Sequence, residues 1–342
     1  MELEQFIQQQ CFDSLRTEGE VKQHWSSEVE PMVSIVCMCY NHVDYIEGAL
    51  CGIFIQETNF PFEVLIHDDA STDGSADVIR RFEARYPSVI RATYQTENQY
   101  SQGRPQGISM RKQCRGRYLC SCEGDDFWIV AYKLQRQFDY MEQHPEVGLC
   151  YHSVYLLDVR TQTIQFVGAD EGESVTKISV DEIMANRGSR LHTVSNFVRN
   201  ENMDVLNRSV EGFTVGDVFL KMYFALQSQV VVLGFTGAVY RKFTNGSWSD
   251  RTLGSGFEDH SLKMILYVDQ FYGYHRHLPN ASKIGVVLQF YMLQILHFNS
   301  GGMHFLRCFY TVFKSIKNYS RTKLLVMLLV VYFTKIKRKC IS

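Results

Sequence analysis

Residues 62–75 are Phe62-Glu-Val-Leu-Ile-His-Asp-Asp-Ala-Ser-Thr-Asp-Gly-Ser75. A short apolar run passes directly into carboxylates and hydroxyls, and a helical pattern follows over residues 75–86. The run predicts a buried strand, and the polar residues after it suit the N-terminus of a helix. The stretch therefore predicts a strand–loop–helix unit with its polar loop at the carboxyl end of the strand.

The same order of elements recurs on both sides of this unit. Upstream, residues 33–40 predict a buried strand and residues 45–55 an amphipathic helix. Downstream, strands are predicted near 89–94 and 118–122, with a helical pattern over 107–114 between them. Alternating strands and helices with short connections predict an α/β fold with a mostly parallel sheet that is covered on both faces. Ligands of such sheets bind beyond the carboxyl ends of the strands.

The remainder of the chain is less regular. We predict strands at 147–158 and 194–199 and helices at 180–186 and 213–227. The chain after Ser261 is mainly helical in pattern, with breaks at Pro279 and at Gly301-Gly302. We therefore expect an N-terminal helical segment over 1–30, an α/β domain over 31–250 and a helical, basic C-terminal region over 251–342.

Composition excludes several classes of protein, and charge is unevenly distributed. The 342 residues are 45% hydrophobic and 21% charged, which is ordinary globular usage and excludes disorder, collagen-like repeats and small disulfide scaffolds. All 37 acidic residues lie at or before Asp269, whereas 11 of the 35 basic residues follow it. The nearly neutral chain is thus an acidic body of charge −13 joined to a basic tail of charge +11.

The basic tail carries the most apolar segment, residues 324–333, which is too short to span a bilayer. Basic residues flank it on both sides: Lys314, Lys317, Arg321, Lys323, Lys335, Lys337, Arg338 and Lys339. This pattern favours a helix at an anionic membrane surface, and the alternative is a helix that packs on the body. We do not expect nucleic acid as a partner, because the basic residues alternate with aliphatic side chains rather than stacking aromatics.

The N-terminus and the cysteines indicate the compartment. The start of the chain has no basic stretch followed by an apolar core, so it does not resemble a secretory signal. The 10 cysteines include no CxxC pair, which favours reduced, buried thiols over a metal or redox site. We therefore expect a cytoplasmic protein at the inner face of the cell membrane.

A second acidic loop follows the predicted strand at 118–122, with the sequence Cys122-Glu-Gly-Asp-Asp-Phe-Trp128. Its carboxylates Glu123, Asp125 and Asp126 repel one another unless a cation compensates them, and hard divalent ions prefer such oxygen ligands. Gly124 permits a tight turn. A cation there would hold a diphosphate and stabilise it as a leaving group. The alternative is a solvated acidic turn.

Three motifs together resemble the family 2 inverting nucleotide-sugar glycosyltransferases, which have the GT-A fold. The motifs are the strand 33–40 with Asn41 and the helix after it, the loop Asp68-Asp-Ala-Ser-Thr-Asp-Gly-Ser75, and Arg115-Gly-Arg-Tyr-Leu-Cys-Ser-Cys-Glu-Gly-Asp-Asp-Phe-Trp128 followed by Lys133-Leu-Gln. The resemblance extends from about residue 33 to 249. It implies a nucleotide-sugar half over 31–130 and an acceptor half over 131–250.

The resemblance assigns roles to the acidic loops. It implies that Tyr40 lies against the nucleotide base and that Asp69 binds the base or ribose. Asp125 and Asp126 match the motif that holds Mg²⁺ or Mn²⁺ on the diphosphate, and Glu123 occupies the place of the family's usual first aspartate. Asp68 and Asp73 are implied to support the loop after the second strand. The same loops supply the remaining substrate-binding candidates of this half: Asn41, Asp68, Ser71, Asp73, Glu123 and Asp126.

The stretch Val210-Glu-Gly-Phe-Thr-Val-Gly-Asp217 resembles the place where the family's catalytic base begins a helix. Asp217 is the implied general base that takes the proton of the acceptor hydroxyl. The alternative role of Asp217 is a charge favoured by the helix dipole. Glu258 and Asp259 are the second candidates for the base, because some relatives use a Glu-Asp pair.

Two further stretches resemble substrate-binding segments of the family. Thr193 and Asn196 lie in a stretch that resembles the strand lining the acceptor pocket. Arg241 and Trp248 lie in a stretch that resembles a loop closing over the diphosphate. The family commonly has a histidine where this chain has Phe243, so a third metal ligand is unassigned.

The resemblance implies an inverting transfer of sugar from a nucleoside-diphosphate sugar, foremost a UDP-sugar, to a hydroxyl of a glycan or lipid-linked oligosaccharide. It also suggests a role in bacterial polysaccharide biosynthesis. A dehydrogenase would need a glycine fingerprint at the first strand–helix turn, and the chain has Cys39-Tyr-Asn-His42 there. The remaining alternative is a catalytically inactive, membrane-bound scaffold or binding module with the same fold.

Overall fold

The computed structural model describes residues 15–26, 30–104, 106–169, 175–186, 191–201, 203–245, 247, 257–288, 291 and 320. Most of the expected segment 1–30 and of the region 251–342 lies outside these residues. The apolar segment 324–333 and its basic flanks are among the parts not described.

Ten strands and nine helices are described here. The strands are β1 (Val33–Cys39), β2 (Phe62–Asp68), β3 (Ile90–Tyr94), β4 (Tyr118–Ser121), β5 (Phe127–Trp128), β6 (Val147–Asp158), β7 (Thr163–Val167), β8 (Val175–Ile178), β9 (Phe197–Arg199) and β10 (Gln229–Lys242). The helices are α1 (Glu18–Lys22), α2 (Ile46–Phe54), α3 (Ser75–Arg85), α4 (Gly107–Gln113), α5 (Lys133–Gln143), α6 (Val180–Asn186), α7 (Met203–Ser209), α8 (Asp217–Gln227) and α9 (Phe257–His275).

All described strands form one sheet, in the order β3-β2-β1-β4-β9-β6-β10-β5, with β7 paired to β6 and β8 to β10. The pairs β1–β2, β2–β3, β1–β4 and β6–β10 are parallel. The short strands β5, β7, β8 and β9 pair antiparallel with their neighbours. The predicted mostly parallel sheet is therefore confirmed.

The sheet is covered on both faces, as expected. Cys150 of β6 and Val231 of β10 belong to a hydrophobic cluster with α2 and α3, whereas their neighbours Leu149 and Val230 belong to a second cluster with α7, α8 and α9. Since successive strand residues point to opposite faces, the two clusters lie on opposite sides of the sheet. Strand β2, which lies between β1 and β3, is consequently buried at all seven of its residues.

Several predicted elements differ from the observed ones. The predicted strand at 194–199 is a 3₁₀ turn, Thr193–Ser195, followed by the short strand β9. The helix predicted from residue 213 begins at Asp217. The sequence analysis did not predict β10, which is the longest described strand.

The cysteines and helices bear on two further expectations. The structure records Cys37, Cys39, Cys51, Cys114, Cys120, Cys122 and Cys150 as free thiols. All of these except the half-buried Cys114 are buried. Among the residues described, no helix is both long enough and apolar enough to cross a membrane.

Candidate active site

A cavity of about 700 Å³ opens where β1, β2 and β4 end. Its lining includes one predicted residue after each of these strands: Tyr40, Asp69 and Asp125. Asp217, the first residue of α8, lines the same cavity. Residues from distant parts of the sequence thus meet at the edge of the sheet where an α/β fold binds its ligands.

Several predicted residues hold the loops of this edge together without lining the cavity. Asp73 accepts hydrogen bonds from the backbone N–H of Val43 through Oδ2 and from that of Ser75 through Oδ1, both at 2.9 Å. Ser71 Oγ accepts from the N–H of Asn41 at 2.9 Å, and Asn41 Oδ1 accepts from the N–H of Thr72 at 2.8 Å. These side chains therefore join the loop after β1 to the loop after β2.

Asp69 lines the cavity, and both of its carboxylate oxygens accept hydrogen bonds from backbone N–H groups. Its Oδ1 accepts from the N–H of Gln99 at 2.8 Å and its Oδ2 from the N–H of Tyr100 at 3.0 Å. The loop after β3 is thereby held over the end of β2. Asp68 lies just below, buried, where Oδ2 accepts from the N–H of Ser71 at 3.2 Å. Tyr40 is 38% exposed, so its ring is available to a ligand.

Asp125 combines an anchored oxygen with an open one. Its Oδ2 accepts from Thr244 Oγ1 at 2.7 Å and lies 4.0 Å from His42 Nε2. Among the residues described, Oδ1 has no hydrogen-bond partner, and it is not one of the buried unsatisfied atoms, so it is open to the cavity. The carboxylate is thus oriented by one oxygen while the other remains available.

Gly124 lets the acidic loop pack closely against His42, whereas the sequence predicted that glycine serves a tight turn there. A Cβ at Gly124 would lie 2.8 Å from His42 Nδ1 and 3.1 Å from Ile46 Cδ1. Gly124 is not one of the described residues with positive φ. Close packing, rather than turn geometry, is what requires the absence of a side chain here.

Glu123 lines the cavity beside Asp125. Burial raises the pKa of Glu123 to about 8, and the charges of Asp125 and Asp217 add to the rise. The folded protein therefore favours a protonated Glu123 near neutral pH when no cation is present. A cation bound beside it would favour the ionised form.

Asp126 lies off the cavity, which differs from our expectation that it binds substrate and metal. The residue is fully buried, and its Oδ1 accepts from the backbone N–H of Arg241 at 2.8 Å. Arg241 is also buried, lines the cavity and donates through Nη1 to the carbonyl oxygen of Asp125 at 2.7 Å. Asp126 and Arg241 therefore fasten the acidic loop to β10.

The carboxylates present fit a divalent cation that is shared with a substrate. No cluster of three or more His, Cys, Asp or Glu side chains forms a ready-made metal site within the part of the chain that the structure describes. Mg²⁺ typically takes one or two carboxylates and completes its shell with water and phosphate oxygens. Asp125 with its open oxygen and Glu123 beside it supply that number of ligands.

Asp217 forms an ion pair with Lys221, one turn further along α8, with 3.0 Å between Nζ and Oδ2. The Asp217 side chain is 37% exposed, whereas that of Lys221 is 5% exposed. Burial favours the protonated acid, but the charge and hydrogen bond of Lys221 outweigh it and hold the pKa of Asp217 below its usual range. The carboxylate is therefore ionised and accessible from the cavity.

His192 lies against Tyr240, with 4.7 Å between their ring centroids, and both line the cavity. Burial lowers the pKa of His192 to about 4, and the charges of Lys221 and Lys242 add to this effect. Burial raises the pKa of Tyr240 far above its usual value. Both side chains are consequently neutral at physiological pH.

Some of the remaining predicted residues line the cavity, and others do not. Thr193 and Asn196 line the cavity, and Asn196 Oδ1 also accepts from the N–H of Ser121 at 2.8 Å. Phe243, which stands where the family has histidine, lies under the guanidinium of Arg160, 3.3 Å from its ring centroid, and does not line the cavity. Trp248 and the side chains of Glu258 and Asp259 lie outside what the structure describes.

Sequence reasoning gave no role to several residues of the site: His42, Arg111, His192, Lys221, Lys242 and Thr244. Their roles depend on contacts that the sequence does not show. Thr244 lies 119 positions after Asp125. Lys221 is an exception whose role the sequence could have shown, because it follows Asp217 by four positions on a predicted helix.

Comparisons with known proteins identify similar sequences and folds. The model of the family described as "Glycosyl transferase family 2" matches residues 34–177. Uncharacterized protein Rv1520 of Mycobacterium tuberculosis is 33% identical over 221 residues, which cover 63% of this chain and 60% of that protein. The chain thus spans less than two thirds of that relative's length.

Two other proteins are similar over different extents. The UDP-Glc:alpha-D-GlcNAc-diphosphoundecaprenol beta-1,3-glucosyltransferase WfaP of Escherichia coli is 28% identical over 126 residues, 36% of this chain and 47% of that enzyme. The solved structure of S. aureus TarS 1-349 in complex with UDP-GlcNAc superposes with a TM-score of 0.59 at 15% identity, covering 83% of this chain and 81% of TarS. The fold is therefore that of the GT-A enzymes, and residues 34–177, which are less than half of the chain, match the model of glycosyl transferase family 2.

Proposed function

We propose that this protein transfers a sugar from a nucleoside-diphosphate sugar to an acceptor hydroxyl, with inversion at the anomeric carbon. The observation that carries the proposal is the position of Asp217, an ionised carboxylate on the cavity that Asp125 also lines. One group suits proton removal, and the other suits the phosphates of the donor. The charges of Asp217 and Asp125 also both raise the pKa of Glu123.

Asp217 is the proposed general base. Lys221 keeps its carboxylate ionised and fixes Oδ2, while over a third of the side chain remains exposed to the cavity. As the acceptor oxygen attacks the anomeric carbon, Asp217 takes the hydroxyl proton. His192 and Tyr240 are neutral neighbours and do not compete for this role.

The acidic loop is the proposed site of the diphosphate. Asp125 and Glu123 would hold Mg²⁺ or Mn²⁺, which neutralises charge on the departing nucleoside diphosphate. Lys242 lines the same cavity directly after Arg241 and supplies a further positive charge. Displacement in one step needs a base and a group that stabilises the leaving diphosphate. Asp217 would be the base, and the acidic loop would hold the diphosphate.

The nucleotide would lie against Tyr40 and the end of β2. Tyr40 offers an exposed ring for stacking, and the loop held by Asp69 closes one side of this region. We propose a UDP-sugar as the donor, because the name of the similar enzyme WfaP specifies UDP-Glc. That name also specifies a lipid diphosphate acceptor, which supports a glycan or lipid-linked acceptor and a role in bacterial polysaccharide synthesis.

A panel of nucleotide sugars tests the proposal directly. Thermal unfolding is recorded with UDP-, GDP- and other nucleotide sugars, each with Mn²⁺ or with EDTA, and slow hydrolysis of each donor is followed by release of the nucleotide. We expect stabilisation and hydrolysis with one nucleotide class, both dependent on the metal. An inactive scaffold would show no hydrolysis, and failure of every nucleotide to stabilise the protein would refute the site.

We further propose that the basic C-terminal region brings the enzyme to an anionic membrane at the cytoplasmic face. The support is the +11 charge after Asp269 and the apolar segment 324–333, both outside the described residues except for Arg276 and Lys283. Flotation with phosphatidylglycerol vesicles should retain the full chain, and phosphatidylcholine vesicles are the control. A chain cut before Lys314 should be released, and undiminished binding would contradict the proposal.

A further inference from the structure

Arg111 is a cationic side chain of the cavity to which the proposed chemistry gives no task. It lies in the last turn of α4 and lines the cavity on the side of α7 and α8. Its Nε donates to Oδ1 of Asn207 at 3.0 Å, and Asn207 is itself buried on α7. The guanidinium is thus held from behind by a neutral amide rather than by a carboxylate.

The front of the guanidinium has no partner among the residues that the structure describes. Within the described ranges, Arg111 forms no ion pair, and no hydrogen bond is recorded for Nη1 or Nη2. Neither Nη atom is among the buried unsatisfied atoms, so both have access to the cavity. Planar guanidinium groups in such positions bind carboxylates or phosphates through two parallel hydrogen bonds.

The described lining of the cavity includes three other cationic side chains, Lys221, Arg241 and Lys242. Lys221 is paired with Asp217, and Arg241 is bound to the carbonyl of Asp125. The charge of Lys242 acts on His192, whose pKa it helps to lower. Arg111 is therefore a positive charge of the cavity that is separate from these three.

Desolvation makes the lack of a counter-ion costly. Burial lowers the pKa of Arg111 to about 10, so the group is still charged at neutral pH. A charge that is removed from water without a partner destabilises the fold, and an anion from the substrate would offset that cost.

The position of Arg111 identifies the part of the substrate that it meets. Its Nη1 lies 3.8 Å from where a Cβ on Gly216 would be, and Gly216 directly precedes Asp217. A group bound by Arg111 therefore belongs to the molecule next to the proposed base. Both the acceptor and the transferred sugar approach that point.

We propose that Arg111 binds an anionic group, a phosphate or a carboxylate, of the substrate that occupies the cavity beside Asp217. This inference rests on the proposed function and narrows its substrate class. The anion has two possible sources, an acceptor that carries phosphate or carboxylate and a donor whose sugar is a uronic acid. Recognition by Arg111 is the same in both cases, and the binding experiment separates them.

The experiment has two arms, each with a charged and a neutral probe. On the acceptor side, binding of glucose 6-phosphate, glucuronic acid and glucose is measured with UDP and Mn²⁺ saturating. On the donor side, UDP-glucuronic acid is compared with UDP-glucose. We expect the wild-type protein to prefer the anionic probe about tenfold or more in one arm, because two charge-assisted hydrogen bonds are gained.

Variants then assign the preference to Arg111. Arg111→Gln should abolish it, and Arg111→Lys, which keeps the charge but loses the planar fork, should retain part of it. Arg208→Gln is the matched control, since Arg208 is exposed on α7 and does not line the cavity. UDP binding of each variant should match the wild type, and cooperative thermal unfolding confirms that each variant is folded.

The outcomes distinguish this inference from the function on which it rests. A preference that survives in Arg111→Gln, or an absence of preference in both arms while UDP still binds, would overturn the role of Arg111 alone. Failure of the wild-type protein to bind UDP would overturn the proposed function, and this inference would fall with it.

Discussion

Lys221 donates a hydrogen bond to Oδ2 of Asp217 at 3.0 Å, and the lysine is buried while the aspartate reaches the cavity. The pair separates two tasks along one turn of α8. Lys221 sets the protonation state of Asp217, and Asp217 is exposed to the cavity. A base that must be ionised inside a partly desolvated cavity needs such support, because burial alone would raise its pKa.

The first prediction concerns pH. Asp217 must be ionised to act as a base, so activity is lost as pH falls through its pKa, which lies below the usual value. In Lys221→Met, burial is no longer opposed, and the acid limb of the kcat/KM profile should move to higher pH. Lys221→Arg, which keeps the charge, should leave the limb near its original place. Identical acid limbs in Lys221→Met and wild type would contradict the role of the pair.

The second prediction concerns Asp217 itself. Asp217→Asn cannot accept the proton, and sugar transfer should fall by on the order of 10²-fold or more while the nucleotide sugar still binds. Turnover and donor affinity are measured separately, by product formation and by calorimetry. Asp204→Asn is the control, because Asp204 is an exposed aspartate on α7. Near-normal turnover in Asp217→Asn would exclude it as the base.

The third prediction separates the adjacent residues Asp125 and Asp126. Asp125→Asn should strongly reduce the Mn²⁺ dependence of UDP binding, because it removes the open carboxylate of the cavity. Asp126→Asn should leave that dependence intact, since the amide oxygen can still accept from the backbone N–H of Arg241. Calorimetric titration of UDP with and without Mn²⁺ measures both. Equal effects of the two substitutions would contradict the different placement of these residues.

The fourth prediction concerns packing behind the acidic loop. A Cβ at Gly52 of α2 would lie 2.6 Å from the carbonyl oxygen of Trp128 and 2.8 Å from its backbone nitrogen. Gly52→Ala should therefore lower the free energy of unfolding by about 1–3 kcal/mol, measured in urea. Gly19→Ala is the control, because nothing lies within 4 Å of a Cβ there. Equal stability of the two variants would show that β5 can shift away from α2.

The fifth prediction concerns Glu63, a buried carboxylate at the start of β2. It accepts from Ser34 Oγ at 2.7 Å and from the backbone N–H of Arg115 at 2.8 Å, and Arg91 Nη2 lies 3.0 Å away. Burial opposes ionisation, but these partners hold the pKa of Glu63 below its usual value. Its contribution to stability is therefore present above the unfolded-state value and is lost as pH falls through the folded-state value.

Glu63→Gln should consequently destabilise the protein by about 1–3 kcal/mol at pH 7, and the difference from wild type should shrink at acidic pH. Urea unfolding at several pH values measures this difference. Glu97→Gln is the control for the charge change, because Glu97 is exposed. A difference that does not vary with pH would contradict the ionised network.

The sequence predicted the first half of the fold closely because its strands and helices alternate with short loops. The second strand, predicted from the apolar run that begins at Phe62, ends at Asp68, and the helix expected from Ser75 begins there. In contrast, β10 is a long run buried on both faces, and such a run has no period that separates strand from helix. Its assignment depends on pairing with β6, which is distant in sequence.

The candidate site was likewise predicted where local sequence decides it and missed where distant contacts do. The motifs located Asp69, Asp125 and Asp217 on the cavity, since each follows or precedes a recognisable element. They did not distinguish Asp125 from Asp126, because only the long-range contact with Arg241 draws Asp126 inward. Neighbouring carboxylates in one loop look equivalent in sequence until a partner more than 100 positions away is known.

The fastening of the acidic loop to β10 sets an order for synthesis of the protein. The loop at 123–126 leaves the ribosome early, but its partners Arg241 and Thr244 emerge 115 and 119 residues after Asp126 and Asp125 respectively. A nascent chain that ends at residue 177 would contain the whole family-matching segment and still lack both partners. The proposed donor site is therefore completed only after residue 244 is synthesised, so a shortened chain would carry the motif without its support.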